Sequence, residues 1–240
     1  MASPPNYLRA LCSRGGVLAT PDSIPIGPQP LVKLGPPIPY IVSMPLNRKK
    51  KSARKRKTAR VLSRKLVYKG PAFWVTSEQV LEPTGVRTLR EIVRHTGSIV
   101  VLATQDQGKD PLILLERQYR HAAESFLWEL PAGRIDEGES PLPAAKRELL
   151  EETGYTARHW KKIIRFFASP GFVAEPMTVF WARGLTPGQA QPEDDEVIEH
   201  RFVPLSKAVR MVLRGVIRDA KTICSVLWLA HHQSGKMSRK

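Results

Sequence analysis

Between Gly133 and Tyr155 the chain carries three glutamates, Glu148, Glu151 and Glu152, at i, i+3 and i+4. At about 100° per helical residue these share one face of a helix. The helix is bounded on both sides: Ser140 suits the N-cap, Pro141 the first helical position and Gly154 the left-handed residue beyond the last turn. Leu142, Ala145 and Leu149 form its expected buried stripe. Three clustered carboxylates repel one another unless a cation joins them. A glutamate-rich helix can also be a solvated face with salt-bridging neighbours, so the surrounding pattern has to decide.

That pattern runs Gly133, five residues, Glu139, seven residues, Arg147-Glu148-Leu149, one residue, Glu151-Glu152, one residue, Gly154-Tyr155. In this it resembles the box of the Nudix hydrolases, which cleave pyrophosphate bonds with divalent metals. The one departure is Tyr155, where the family usually carries an aliphatic residue; it should alter packing more than chemistry. The flanks narrow the resemblance. Leu115 to Arg120, Trp128-Glu129-Leu130-Pro131-Ala132-Gly133, Ser169-Pro170-Gly171-Phe172 with Glu175, and Asp219-Ala220-Lys221-Thr222 occur in the order found in ADP-ribose pyrophosphatases. Pro170, 15 residues beyond Tyr155, is associated with that subgroup rather than with enzymes that cleave nucleoside triphosphates.

Composition sets the bounds. The 240 residues allow one domain with a substantial core plus an extension. No apolar run reaches the roughly 18 residues of a membrane span. Cys12 and Cys224 are too few for a disulfide framework or a cysteine-based zinc site, which points to a reducing cytoplasm. The net charge of +16 is uneven: residues 1–70 hold 15 Lys+Arg against Asp22 alone, leaving 23 basic and 21 acidic residues beyond. Residues 1–60, proline-rich and then basic through Arg48 to Lys57, read as a disordered tail. Such a tail offers nucleic acid weak, sequence-blind contact at most.

Strand-like segments follow around 66–75, 87–93, 98–103, 112–118, 126–130, 163–167, 177–182 and 199–203. Helical patterns cover about 141–152, 205–213 and 219–229. Many strands and few helices, not strictly alternating, predict a mixed sheet covered by helices. The resemblance gives this a name, the α/β/α Nudix sandwich. It would span residues 61–236, with an N-terminal β segment over 61–95, a catalytic core over 96–236, and a homodimer as the expected assembly.

The resemblance also distributes roles. Glu148, Glu151, Glu152 and the carbonyl of Ala132 are implied as ligands of Mg2+, with Mn2+ as a substitute, and Glu139 as a support whose charge Arg147 balances. Magnesium prefers oxygen donors, which suits this set. The base that activates water often lies on a later loop in this subgroup; here Glu193 and Glu196 fit that place, and Glu151 competes with them. Arg117 and Arg120 are the candidates for gripping a diphosphate, since a guanidinium offers paired donors. Strand alternation puts them on opposite faces, so one of the two should face the site. Trp74, with Phe73, is a candidate for stacking on adenine or else a core aromatic, and His95 reads as structural or interfacial. The implied reaction is hydrolysis of ADP-ribose to AMP and ribose 5-phosphate. Two alternatives stand beside it: another nucleoside diphosphate sugar as substrate, and a ligand sensor with a nucleic-acid-binding tail.

Overall fold

The computed structural model describes residues 58–106, 108–190 and 198–237. Its centre is β4 (Ser98–Gln105), buried along nearly its whole length. Period-two alternation sends Val100 and Leu102 to one side and Ile99, Val101 and Ala103 to the other, so a single strand feeds two separate cores. The second core is closed by helix α1 (Pro141–Thr153) through Ala144, Ala145 and Leu149. The first is closed by α2 (Leu205–Leu213) and α3 (Ala220–Met237), through Ala208, Met211, Val226 and Leu229. The result is the three-layer α/β/α arrangement with a mixed sheet.

In that sheet β4 pairs in parallel with β10 (Pro176–Pro187), which pairs antiparallel with β8 (Tyr155–Phe167). On its other edge β4 changes partner. Its C-terminal end, Thr104 and Gln105, pairs with β5 (Leu112–Arg120), whereas Ser98 to Val100 pair with the short β7 (Ala132–Arg134). Strand β5 diverges to pair with β6 (Ser125–Glu129) and with β11 (Ile198–Pro204). The divergence of β5 from β7 opens the sheet beside α1.

A second sheet, in the order β1-β2-β3-β9, is built from β1 (Arg60–Lys69), β2 (Trp74–Leu81), β3 (Arg87–Arg94) and the two-residue β9 (Val173–Ala174). The stretch 66–75, expected as one strand, is two. Pro71 lacks an amide hydrogen and the Gly70 N–H donates to the Phe73 carbonyl, so the chain reverses and Lys69 pairs with Trp74. Strand β8 also begins eight residues earlier than the expected 163, at Tyr155 directly after the left-handed Gly154. On α1, Leu142 lies at the exposed edge of the packing face and Ala144 takes its place in the core. Two adjacent alanines let the helix approach the sheet closely. Among the described residues no helix is long and apolar enough to cross a membrane. The tail expected over 1–60 lies, up to residue 57, outside the described residues, as does the acidic loop with Glu193 and Glu196.

Candidate active site

Where β5 and β7 part, a cleft of about 520 Å³ opens between α1 and the start of β4. Its floor is the backbone of Ala132 and Gly133, and the Glu148, Glu151 and Glu152 side chains line one wall. Extended Ser140 and left-handed Gly154 bound α1 as the sequence predicts, although the Ser140 hydroxyl makes no capping hydrogen bond. Gly154 donates its N–H to the Leu150 carbonyl, which ends the helix one residue beyond Glu152.

Arg147 organises the carboxylates. Its Nη1 donates to Glu148 Oε1 and to Glu151 Oε2, each at 2.9 Å, while Nη2 donates to Glu139 Oε2 at 3.1 Å. One guanidinium therefore already sits as a cation between two box glutamates and ties the preceding loop to the helix. The hydrogen bond from Arg147 and the Asp136 N–H, opposed by partial burial, leave the Glu139 carboxyl below its usual value. Arg147 is raised above its own, chiefly by Glu139. Glu152 is turned inward, with Oε2 accepting the Ala132 N–H at 3.1 Å.

The donor set suits a hard divalent cation, since every candidate ligand is a carboxylate or carbonyl oxygen. Gly133 supplies a second sign of fit. A Cβ built there would lie 1.9 Å from Glu148 Oε1, so the missing side chain is the space in which that carboxylate rests against the floor. Among the described residues, no three His, Cys, Asp or Glu side chains already converge as a cage. Arg147 holds Glu148 and Glu151 in this state.

The far end of the cleft is cationic. Arg120 and Lys221 both line it, and both are anchored on Glu129, which is 1% exposed. Arg120 donates from Nε to Glu129 Oε1 at 2.9 Å and from Nη2 to Oε2 at 3.0 Å. Burial opposes the charge on both partners, but their mutual hydrogen bonds outweigh it, helped at Glu129 by the nearby Lys221 and at Arg120 by the negative charge around it. Arg120 ends above its ordinary value and Glu129 below.

The structure brings together Ala132, Arg147, Glu148, Glu151, Glu152 and Arg120. Other candidates lie elsewhere. Arg117 is on the opposite face of β5, as alternation requires, with its guanidinium 4.7 Å from the centre of the Phe126 ring. Trp74 starts β2 opposite Arg94 and does not line the cleft. Pro170 lines a separate groove of about 290 Å³, beside Phe172 and Arg94. Conversely, His95, Ser98 and Glu175 line the wall facing α1. The Ser98 hydroxyl donates to Glu175 Oε1 at 2.6 Å, and His95 Nδ1 accepts the Gly97 N–H. Glu175 and Lys221 stand in flanking motifs visible in the sequence, yet only the folded arrangement shows that they share a cleft with the box. Tyr155 packs edge-on against Phe202 at 5.5 Å, and it does not line the cleft.

A profile of the NUDIX domain matches residues 93–226. The chain is 37% identical over 172 residues to the ADP-ribose pyrophosphatase of Bacillus subtilis (strain 168), across 71% of this chain and 91% of that one. It is 36% identical over 169 residues to the ADP-ribose pyrophosphatase of Mycobacterium tuberculosis (strain ATCC 25618 / H37Rv), across 69% and 80%. In three dimensions it resembles a crystal structure of an ADP compounds hydrolase, with a TM-score of 0.65 at 23% identity, across 75% of this chain and 96% of the other.

Proposed function

Because the chain belongs to the NUDIX domain family, we propose that it is a pyrophosphohydrolase of the ADP-ribose pyrophosphatase type, converting ADP-ribose to AMP and ribose 5-phosphate. The observation that carries this reading is the cleft that sets the box carboxylates and the Ala132 carbonyl at one end and Arg120 at the other. Nudix hydrolases generally use a divalent metal. Mg2+, with Mn2+ as a substitute, would be held by Glu148, Glu151, Glu152 and the Ala132 carbonyl, where it would neutralise phosphate charge and acidify water.

The chain's own groups do the rest. Arg120, pre-oriented by Glu129 through Nε and Nη2, has its remaining Nη N–H groups for the diphosphate oxygens. Arg147 keeps Glu139, Glu148 and Glu151 close together against their mutual repulsion. Glu151, half exposed at the mouth of the cleft, and Glu193 and Glu196 of the acidic loop are the candidates to accept the proton from water. A homodimer belongs to the same reading, supported by the exposed apolar residues Val61, Leu62, Leu66 and Val67 on β1. A cytoplasmic location is supported by the low cysteine content. Nucleic acid would meet only the basic residues before β1, weakly.

The test is incubation with Mg2+ and a panel of ADP-ribose, other nucleoside diphosphate sugars and nucleoside triphosphates, with chromatography of the products. ADP-ribose should give AMP and ribose 5-phosphate with the highest kcat/KM. Glu152→Gln, which keeps the shape and an acceptor for the Ala132 N–H, should lower turnover by about 100-fold or more with the melting temperature little changed. Higher kcat/KM for triphosphates, or near-normal turnover by folded E152Q, would sink the reading.

A further inference from the structure

Lys221 is an expensive residue where it stands. It lies in the first turn of α3, is 8% exposed, and places its ammonium against Glu129 Oε2 and 3.1 Å from Asp219 Oδ1. Taking an ammonium out of water costs several kcal/mol unless its partners repay it. Neither carboxylate would be left without a partner in its absence. Both oxygens of Glu129 are already engaged by the Arg120 fork. Asp219 is occupied with capping α3, its Oδ2 accepting both the N–H and the hydroxyl of Thr222. Packing alone would be served by an uncharged side chain of the same length. Yet Lys221 lines the cleft beside Arg120, and an ammonium has three donors, more than its hydrogen bond to Glu129 and its ion pair with Asp219 can use.

We propose that Lys221 is a substrate-binding residue whose third N–H takes a phosphoryl oxygen of the diphosphate next to the one gripped by Arg120. This deepens the reading of the cleft as a nucleoside diphosphate sugar site and rests on it. Glu129 then acts as a positioning residue. Buried at the back of the cleft, it holds one planar and one point cation side by side, which matches two adjacent phosphates better than either cation alone. The charge on Lys221 is thus partly held in reserve: two carboxylates stabilise it in the free protein, and the incoming diphosphate uses the donor they leave.

The experiment is calorimetric titration of the full chain with ADP in the presence of Mg2+, since ADP brings the diphosphate without the distal sugar. Wild type is compared with Lys221→Met, Lys221→Arg and Asp219→Asn, and each variant's melting temperature is measured. K221M should raise Kd about 10- to 100-fold, the loss of one charge-assisted hydrogen bond, while K221R should restore binding to within about threefold of wild type. D219N keeps an acceptor for the Thr222 cap and should leave Kd unchanged. A residue that merely latches α3 to β6 gives another pattern: K221M and D219N would lower the melting temperature alike, with ADP affinity tracking stability rather than charge. That pattern, or equal affinity in K221M and wild type, or no ADP binding by wild type, overturns the proposal. If K221M does not fold, Lys221→Gln reads the same loss of charge. A wild type that binds ADP but leaves ADP-ribose intact would sink the hydrolase reading and not this one.

Discussion

Arg147 makes the clearest case for a side chain placed by function. In a merely solvated helix, i,i+4 pairing with Glu151 would be enough, worth a few tenths of a kcal/mol. Here the same guanidinium also reaches Glu148 and, across a loop, Glu139. Gly133 is the counterpart on the floor. Its backbone lies outside the left-handed region, so alanine is conformationally acceptable, and the nearest obstruction is the flexible end of Glu148. Gly133→Ala should therefore cost less than about 1 kcal/mol in denaturant unfolding, because Glu148 can swing away. It should nevertheless reduce kcat by about tenfold or more, because Glu148 has left its place. Equal kcat in G133A and wild type would mean that the position of this carboxylate is irrelevant to turnover.

Strand β2 carries another unusual carboxylate. Glu78 is 1% exposed in a sheet, accepting Arg64 Nε at 2.7 Å, Arg94 Nη2 at 2.5 Å and the Thr76 hydroxyl at 2.9 Å. Chiefly through Arg64, against the opposing effect of burial, its pKa is held at about 2. A carboxyl depressed in the folded state contributes stability that is complete above its unfolded pKa and is lost as pH falls through the folded one. Wild type should thus exceed Glu78→Gln by about 1.5–3 kcal/mol at pH 7. The gap, followed by urea unfolding, should close as pH drops from 4.5 towards 2. A gap independent of pH would show that charge contributes nothing there.

The same strand shows why parts of the fold were hard to read. Thr76, Ser77, Glu78 and Gln79 give no apolar alternation, because the buried positions are filled by an ion pair and a hydroxyl. The first half of β8 is similarly polar, rich in Arg, His and Lys. By contrast β4 and α1 were legible, one as a continuous apolar run and the other through its caps and its period. Of the site, the box wall follows from local spacing. The facing wall with Ser98 and Glu175 depends on strand pairing between distant segments, which no local pattern records.

At the scale of the whole molecule, the cleft is built from residues 72 to 221, so the basic excess before β1 stands apart from the chemistry in the sequence. Deleting residues 1–57 removes eleven Lys+Arg and Asp22, taking the net charge from +16 to +6. Hydrolysis of ADP-ribose at matched metal concentration should keep its kcat/KM within about twofold. Any affinity for nucleic acid should fall sharply, and what the full chain has should weaken steeply with salt. A large loss of kcat/KM in a well-folded truncation would place part of the functional domain before residue 58.

The parallel pairing of β4 with β10 has a consequence in time. Ser98 meets Met177 only after everything between them has been looped out, and that intervening chain includes the entire box helix. Closing so long a loop carries an entropic cost that local turns and helices do not, so this pairing is expected to form after them. During synthesis, the chain acquires all three box glutamates before β10, and until then the wall facing them has His95 and Ser98 but lacks Glu175 and Met177. The acids of the box come early in the chain, and the residues that close the cleft around them come last.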